Sequence, residues 1–203
     1  MYDISVKRYT ALLFCSDRLN YVSETKQPTS KHPTGYPGYW RPKYWVNWLG
    51  IGLLRLIARL PFDWQLGLGT TLGQLAYWLA ADRKHIAETN IRLCFPNLTA
   101  AQQKNLVQQI FRNNGRGIIE TGFAWTGRVA QLQGRIQFSG LEHLQQAVAE
   151  GNGVMLLGMH FSTLDLCGAA LAREVPFDVI YRRNKNALLE SVIREGRIRN
   201  FPS

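Results

Sequence analysis

The chain has 203 residues, 46% of them hydrophobic and 11% aromatic, enough to bury one sizeable core and to exclude intrinsic disorder for most of its length. Its 24 Lys and Arg against 14 Asp and Glu leave a net charge of +10, so an anionic partner is expected: phospholipid, a phosphorylated substrate, an acidic carrier protein or nucleic acid. Cys15, Cys94 and Cys167 are an odd, widely separated set with neither the paired spacing of a zinc site nor the density of a disulfide scaffold, which points to a reducing compartment.

Residues 1–40 are polar, aromatic and rich in Pro and Gly, as in Lys31-His32-Pro33-Thr34-Gly35-Tyr36-Pro37-Gly38, and are predicted to form an extended arm. Ala11-Leu12-Leu13-Phe14-Cys15 is too short an apolar run for a secretory signal, so the protein is expected on the cytoplasmic side. Residues 44–60 are strongly apolar, open with Tyr44, Trp45 and Trp48, and follow Arg41 and Lys43. A helix of that length is roughly 25 Å long, marginal for a bilayer core of about 30 Å. Arg55 and Arg59, at i and i+4 on one face, favour a helix lying in the interface or snorkelling from it, with an ordinary buried helix as the alternative. A second apolar stretch, residues 66–81, carries Tyr77 and Trp78 and ends at Asp82-Arg83-Lys84-His85.

Beyond it the chain reads as a soluble α/β unit. Residues 94–98 form a turn, and Thr99-Ala100-Ala101-Gln102 has the form of a capping box opening a helix with Leu106, Val107, Ile110 and Phe111 on one side. Gly115, Gly117 and Gly122 weaken its continuation, although Ile118, Ile119 and Phe123 permit a second amphipathic segment. Ser139-Gly140-Leu141-Glu142 offers another capping box, before a helix to about Ala149. A turn at Gly151-Asn152-Gly153 leads into a strand over 154–159, then a helix to about Arg173 and a second strand over 177–181. This alternation predicts an α/β fold with a mostly parallel sheet flanked by helices. The expected organisation is an arm (1–40), a membrane-associated helical segment (41–83) and a partial α/β domain (84–203).

Within that alternation, the run from Gly153 ends on His160, and Asp165 follows after four intervening residues. Open α/β sheets place their ligands at strand ends, and the turn into the next helix can fold Asp165 towards the imidazole. A base with an orienting carboxylate suits acyl transfer to a hydroxyl. Cys167 reads as a small apolar helix residue rather than a nucleophile. Ser162 and Thr163 read as caps of the helix carrying Asp165, and His32, His85 and His143 as surface residues. Arg182, Arg183, Lys185, Arg194, Arg197 and Arg199 are dense enough to hold phosphates or an acidic carrier.

His160-Phe161-Ser162-Thr163-Leu164-Asp165 resembles the HX4D/E signature of glycerolipid and lipid A acyltransferases. Further segments sharpen the likeness: Tyr44-Trp45-Val46-Asn47-Trp48-Leu49-Gly50, Asn90-Ile91-Arg92-Leu93-Cys94-Phe95-Pro96, Glu120-Thr121-Gly122-Phe123-Ala124-Trp125, and Tyr181-Arg182-Arg183-Asn184-Lys185-Asn186 with Gly196-Arg197. In this order they resemble the late lauroyl/myristoyl acyltransferases of lipid A biosynthesis from about residue 40 to residue 200. The resemblance implies a bacterial inner-membrane enzyme, its catalytic part on the cytoplasmic face, taking an acyl group from acyl carrier protein to a hydroxyl of a lipid A precursor. By that likeness His160 is the general base, Asp165 its partner, and Arg197, Arg182, Arg183 and Asn184 bind substrate. Neither metal nor cofactor is implied, and inner-membrane phospholipid rather than nucleic acid is the expected surface.

The chain departs from the family pattern in three places: Asp165 stands where Glu is common, Arg183 where Pro is common and Glu195 where an aromatic residue is common. The resemblance also places residue 203 before the family's C-terminal strands, so an incomplete domain without an intact active-site wall is expected. The competing readings are a glycerol-phosphate acyltransferase, which would share His160 and Asp165, and a non-enzymatic basic membrane or nucleic-acid binder relying on charge alone.

Overall fold

The computed structural model describes residues 2–5, 13–15, 38–151, 153–179, 181 and 183–200. Most of the expected arm, Ile180 and Arg182 therefore lie outside the described residues. Helix predominates among the rest. A 3-10 turn at Pro42–Tyr44 leads into α1 (Trp45–Ile57), then α2 (Phe62–Leu79), α3 (Ala81–Cys94) and the long α4 (Ala100–Ala124). A second 3-10 segment, Val129–Arg135, precedes α5 (Leu141–Ala149), α6 (Leu164–Leu171) and α7 (Ala187–Ile198).

Helix α4 opens as its sequence predicts. Gln102 N–H donates to Thr99 Oγ1 at 3.3 Å while Thr99 N–H donates to Gln102 Oε1 at 2.8 Å, a reciprocal cap. The predicted weakening at its glycines does not occur: α4 runs unbroken for 25 residues. The reason is packing against α2. Gly69 and Gly73, one turn apart on α2, meet Gly115 on α4, where a Cβ on Gly69 would stand 2.8 Å from Arg116 Cα and one on Gly115 would stand 2.5 Å from Gly73 N. The glycines cost helix propensity but admit a backbone-to-backbone approach that no side chain allows.

Among the described residues three apolar clusters hold the helices. Tyr77, Ile91, Val107 and Phe111 join α2, α3 and α4. Phe62, Phe123, Val129, Leu132, Leu166 and Ala170 seat α6 between the start of α2 and the end of α4. Ile51, Leu188 and Val192 join α7 to α1, with Trp48 and Trp125 alongside. The turn between α1 and α2 is fixed by polar groups: buried Gln65 donates from Nε2 to Leu60 O at 2.8 Å, and Arg128 Nη1 donates to Ala58 O at 2.8 Å. Arg135 grips Asp63 with two bonds of 2.6 and 2.7 Å, and that pairing holds the Asp63 carboxyl below its ordinary range.

The mostly parallel sheet is not present among the described residues. Among the described residues strand is limited to β1 (Tyr2–Ser5), β2 (Leu13–Cys15), β3 (Ile136–Ser139), β4 (Val154–Met155) and β5 (Asp178–Val179). β1 and β3 pair in parallel, but β4 and β5, expected in a mostly parallel sheet, each pair antiparallel with β2. The apolar run after Val154 has the composition of a strand covered on both faces. Met155, Leu157 and Met159 are instead exposed, and among the described residues no ladder or covering layer extends β4 through the run. The cap at α5 also differs: Gly140, at φ 82°, takes the cap position without a side-chain bond, which only glycine does at little cost.

No helix among the described residues is long and apolar enough to cross a membrane. The expected helix over residues 44–60 is observed as α1, 13 residues long against the roughly 20 that a span requires.

Candidate active site

The loop after β4 carries His160 out to an exposed position before the chain turns into α6. Gly117 of α4 makes room for that loop, since a Cβ there would sit 2.6 Å from Ser162 Cβ and from Ser162 O. Thr163 stands at the cap of α6 as expected, yet makes no side-chain capping bond; its hydroxyl lies 3.6 Å from Cys167 Sγ. Asp165 occupies the first turn of α6, where the helix dipole favours a carboxylate.

What faces Asp165 is α7. That helix is capped by Asn186, whose Oδ1 accepts from Leu188 N and Leu189 N at 3.1 and 3.2 Å and whose Nδ2 reaches Asn47 Oδ1 of α1 at 3.3 Å. Leu188 and Val192 turn one face into the core, and Gly196 continues it against Trp125, where a Cβ would lie 2.5 Å from Trp125 Cβ. Arg197 follows, and its Nε donates to Asp165 Oδ1 at 2.8 Å. The side chains of this pair are 32% and 17% exposed, so it is partly shielded but open on one side. Among the described residues no hydrogen bond or ion pair joins Asp165 to His160, and the structure brings Asp165 and Arg197 together with the imidazole outside that bond.

The remaining expected residues divide. Arg183 and Lys185 are exposed just before α7, Arg194 and Arg199 are exposed towards its C-terminal end, and Arg199 also reaches Glu195 at 3.8 Å and Trp125 O at 3.3 Å. Asn184, expected to bind substrate, uses its side chain in the turn before α7, accepting from Asn186 N at 2.8 Å. Arg182 lies outside the described residues. His85 and His143 are exposed, as the sequence predicts, and His32 lies outside the described residues. Burial pushes the Cys167 thiol above its ordinary range, against the hydrogen bond with Thr163, and Glu120 nearby adds to the rise. It is a packed helix residue rather than a ready nucleophile.

Two residues beside the pair had no role in the sequence reading. Tyr181 O–H donates to Glu190 Oε1 at 2.6 Å, Asn184 N–H donates to Glu190 Oε2 at 2.7 Å, and the Arg197 guanidinium lies 5.5 Å from the Tyr181 ring centre. The bond to Glu190 raises the Tyr181 phenol, with burial and the neighbouring charge adding to it. Burial alone would raise Glu190; the bonds from Tyr181 and Asn184, with Arg183 and Arg197 nearby, outweigh it and hold the carboxyl low. The available signal was spacing: Glu190 and Arg197, at i and i+7, share a face of α7.

Comparison with known proteins bears on this arrangement. The family model described as bacterial lipid A biosynthesis acyltransferase matches residues 33–201. The chain is 35% identical over 162 residues to the lipid A biosynthesis lauroyltransferase of Escherichia coli (strain K12), covering 80% of this chain and 53% of that protein. It is 35% identical over 159 residues to the palmitoleoyltransferase of the same organism, covering 78% and 52%. A lipid A biosynthesis acyltransferase of Haemophilus influenzae is 33% identical over 172 residues, covering 84% and 55%. The chain thus spans about half the length of the curated relatives it matches. No solved structure matches it. With residues 33–201 matched and the His160, Asp165 and Arg197 segments all inside them, the chain belongs to the bacterial lipid A biosynthesis acyltransferase family.

Proposed function

We propose that the chain transfers a fatty acyl group from an acyl carrier protein thioester to a hydroxyl of a lipid A precursor, with His160 as general base. The observation that carries this reading is the Asp165–Arg197 pair at the foot of the His160 loop, in a chain of this family.

An alcohol is a weak nucleophile at neutral pH, so a base must take its proton as its oxygen attacks the thioester carbonyl. The His160 imidazole takes that proton. A carbon–oxygen bond forms, the carbon–sulfur bond of the tetrahedral intermediate then breaks, and the imidazolium returns the proton to the departing carrier thiolate. Arg197 fixes Asp165 by Oδ1, which leaves Oδ2 to take the ring N–H of His160 and hold its tautomer once substrate orders the loop. Backbone N–H groups of the 161–163 turn are the donors for the oxyanion. Arg183, Lys185 and Arg194 supply positive charge for acceptor phosphates or the acidic carrier.

We place this chemistry at the inner membrane, on its cytoplasmic face. The support is α2, whose Phe62, Gly69, Gly73 and Tyr77 face the core while Trp64, Leu68, Leu75 and Trp78 are exposed. Trp45, Leu49, Leu53 and Leu56 form a similar stripe on α1. Apolar stripes flanked by Arg41, Lys43, Arg83 and Lys84 suit a helix lying in a headgroup interface.

The acceptor decides between this reading and a glycerol-phosphate acyltransferase. Membranes bearing the chain are given labelled acyl carrier protein thioester and either tetra-acylated lipid A precursor or glycerol 3-phosphate. Label in the precursor alone supports the proposal; label in glycerol phosphate alone overturns it.

A further inference from the structure

We propose that Tyr181 and Glu190 are positioning residues that clamp Arg197 and, through it, Asp165; this rests on the acyl-transfer reading of the site. Arg197 is a long, partly exposed side chain whose function demands one orientation, with Nε aimed at Asp165 Oδ1. A single bond leaves its many rotamers in competition. Glu190 lies seven residues earlier on α7, about 10.5 Å along the axis, beyond a direct bond to the guanidinium.

Tyr181 spans that gap. Its hydroxyl is tied at 2.6 Å to Glu190 Oε1, and its ring stands 5.5 Å from the Arg197 guanidinium carbon, within the range of a cation–π contact. The second Glu190 oxygen takes Asn184 N–H at 2.7 Å, so the carboxylate is held from two directions and cannot swing away with the tyrosine. The order of support runs from Asn184 through Glu190 and Tyr181 to Arg197, and ends on Asp165. Neither Tyr181 nor Glu190 belongs to the buried core, so replacing them removes the clamp without opening a cavity.

The test reads Arg197 directly. In chain labelled with 15N-arginine in detergent micelles, hydrogen exchange at the Arg197 Nε–H is followed in wild type, Tyr181→Phe, Tyr181→Leu, Glu190→Gln and His160→Ala. Protection in wild type and His160→Ala, with exchange about tenfold faster in Tyr181→Leu and intermediate in Tyr181→Phe and Glu190→Gln, supports the clamp. Equal protection in Tyr181→Leu, Glu190→Gln and wild type overturns it, whatever the activity. In the transfer assay, Tyr181→Leu is expected to lower kcat about tenfold with KM changed less than about twofold, and Tyr181→Phe to recover part of the loss. Transfer retained in His160→Ala removes the general-base reading of His160 while exchange still decides the clamp. Transfer lost in His160→Ala but unchanged in Tyr181→Leu and Glu190→Gln, with exchange in those two variants equal to wild type, removes the clamp alone.

Discussion

Arg197 and Asp165 stand 32 residues apart in sequence, and Arg197 Nε lies 2.8 Å from Asp165 Oδ1. This bond ties the last turn of α7 to the first turn of α6. Lysine would keep the charge but lose the directional Nε–H. Arg197→Lys is expected to cut kcat by about one to two orders of magnitude, whereas unfolding free energy in urea changes by about 1 kcal/mol or less, because the pair is partly exposed. A stability loss of several kcal/mol with matching inactivation would instead mark the pair as scaffold.

The seat of α7 is as restrictive as the pair itself. Gly196→Ala places a Cβ 2.5 Å from Trp125 Cβ and 2.6 Å from Trp125 Cγ, so α7 must shift or the indole must move. Destabilisation of about 1–3 kcal/mol is expected, with reduced transfer as Arg197 leaves Asp165. Gly168→Ala, on α6 with nothing within 4 Å, is the control and is expected to stabilise by about 0.5–1 kcal/mol. Urea melts of both variants check the contrast.

The α2–α4 crossing makes a parallel prediction away from the site. Gly73→Ala drives a Cβ into the backbone at Phe111 and Arg112 and is expected to cost about 3 kcal/mol. Gly67→Ala, on the same helix with nothing within 4 Å, is expected to gain about 0.5–1 kcal/mol. Equal effects would mean that the two helices do not cross at these glycines.

Thiol chemistry separates two cysteines. Cys94 is exposed, whereas burial raises the Cys167 thiol. A raised value means less thiolate at any given pH, so Cys94 is expected to react first with iodoacetamide near pH 8, with Cys167 following only at higher pH or on unfolding. Because the native state keeps the Cys167 proton longer, its contribution to stability is full below the ordinary thiol range and is lost as pH rises through the raised value. Mass-spectrometric labelling across pH measures both sites.

Local signals in the sequence held at α4 and not at α5 or α6, where Gly140 and Thr163 take the cap position without a side-chain bond. Thr99 and Gln102 marked the start of α4 because their reciprocal bonds need only three residues of chain. The glycines of α4 were misread for the opposite reason: Gly115 is explained by Gly69 and Gly73, more than forty positions away, and no window along α4 contains them. The parallel sheet failed similarly, since the composition after Val154 specifies a buried strand but not the neighbours that would bury it. His160 and Asp165 were legible as a spacing. Arg197 was assigned by family likeness, and its partner Asp165 emerged only when the α7 packing brought the two together.

The most direct measurement is acyl transfer by membranes bearing the wild-type chain or His160→Ala, with labelled acyl carrier protein thioester, tetra-acylated lipid A precursor and a full-length relative as positive control. Product from wild type that falls by about two orders of magnitude or more in His160→Ala, with equal membrane-bound protein, is the expected result. Equal product from both chains, or none from wild type while the relative is active, would contradict the proposed role of His160 in this chain.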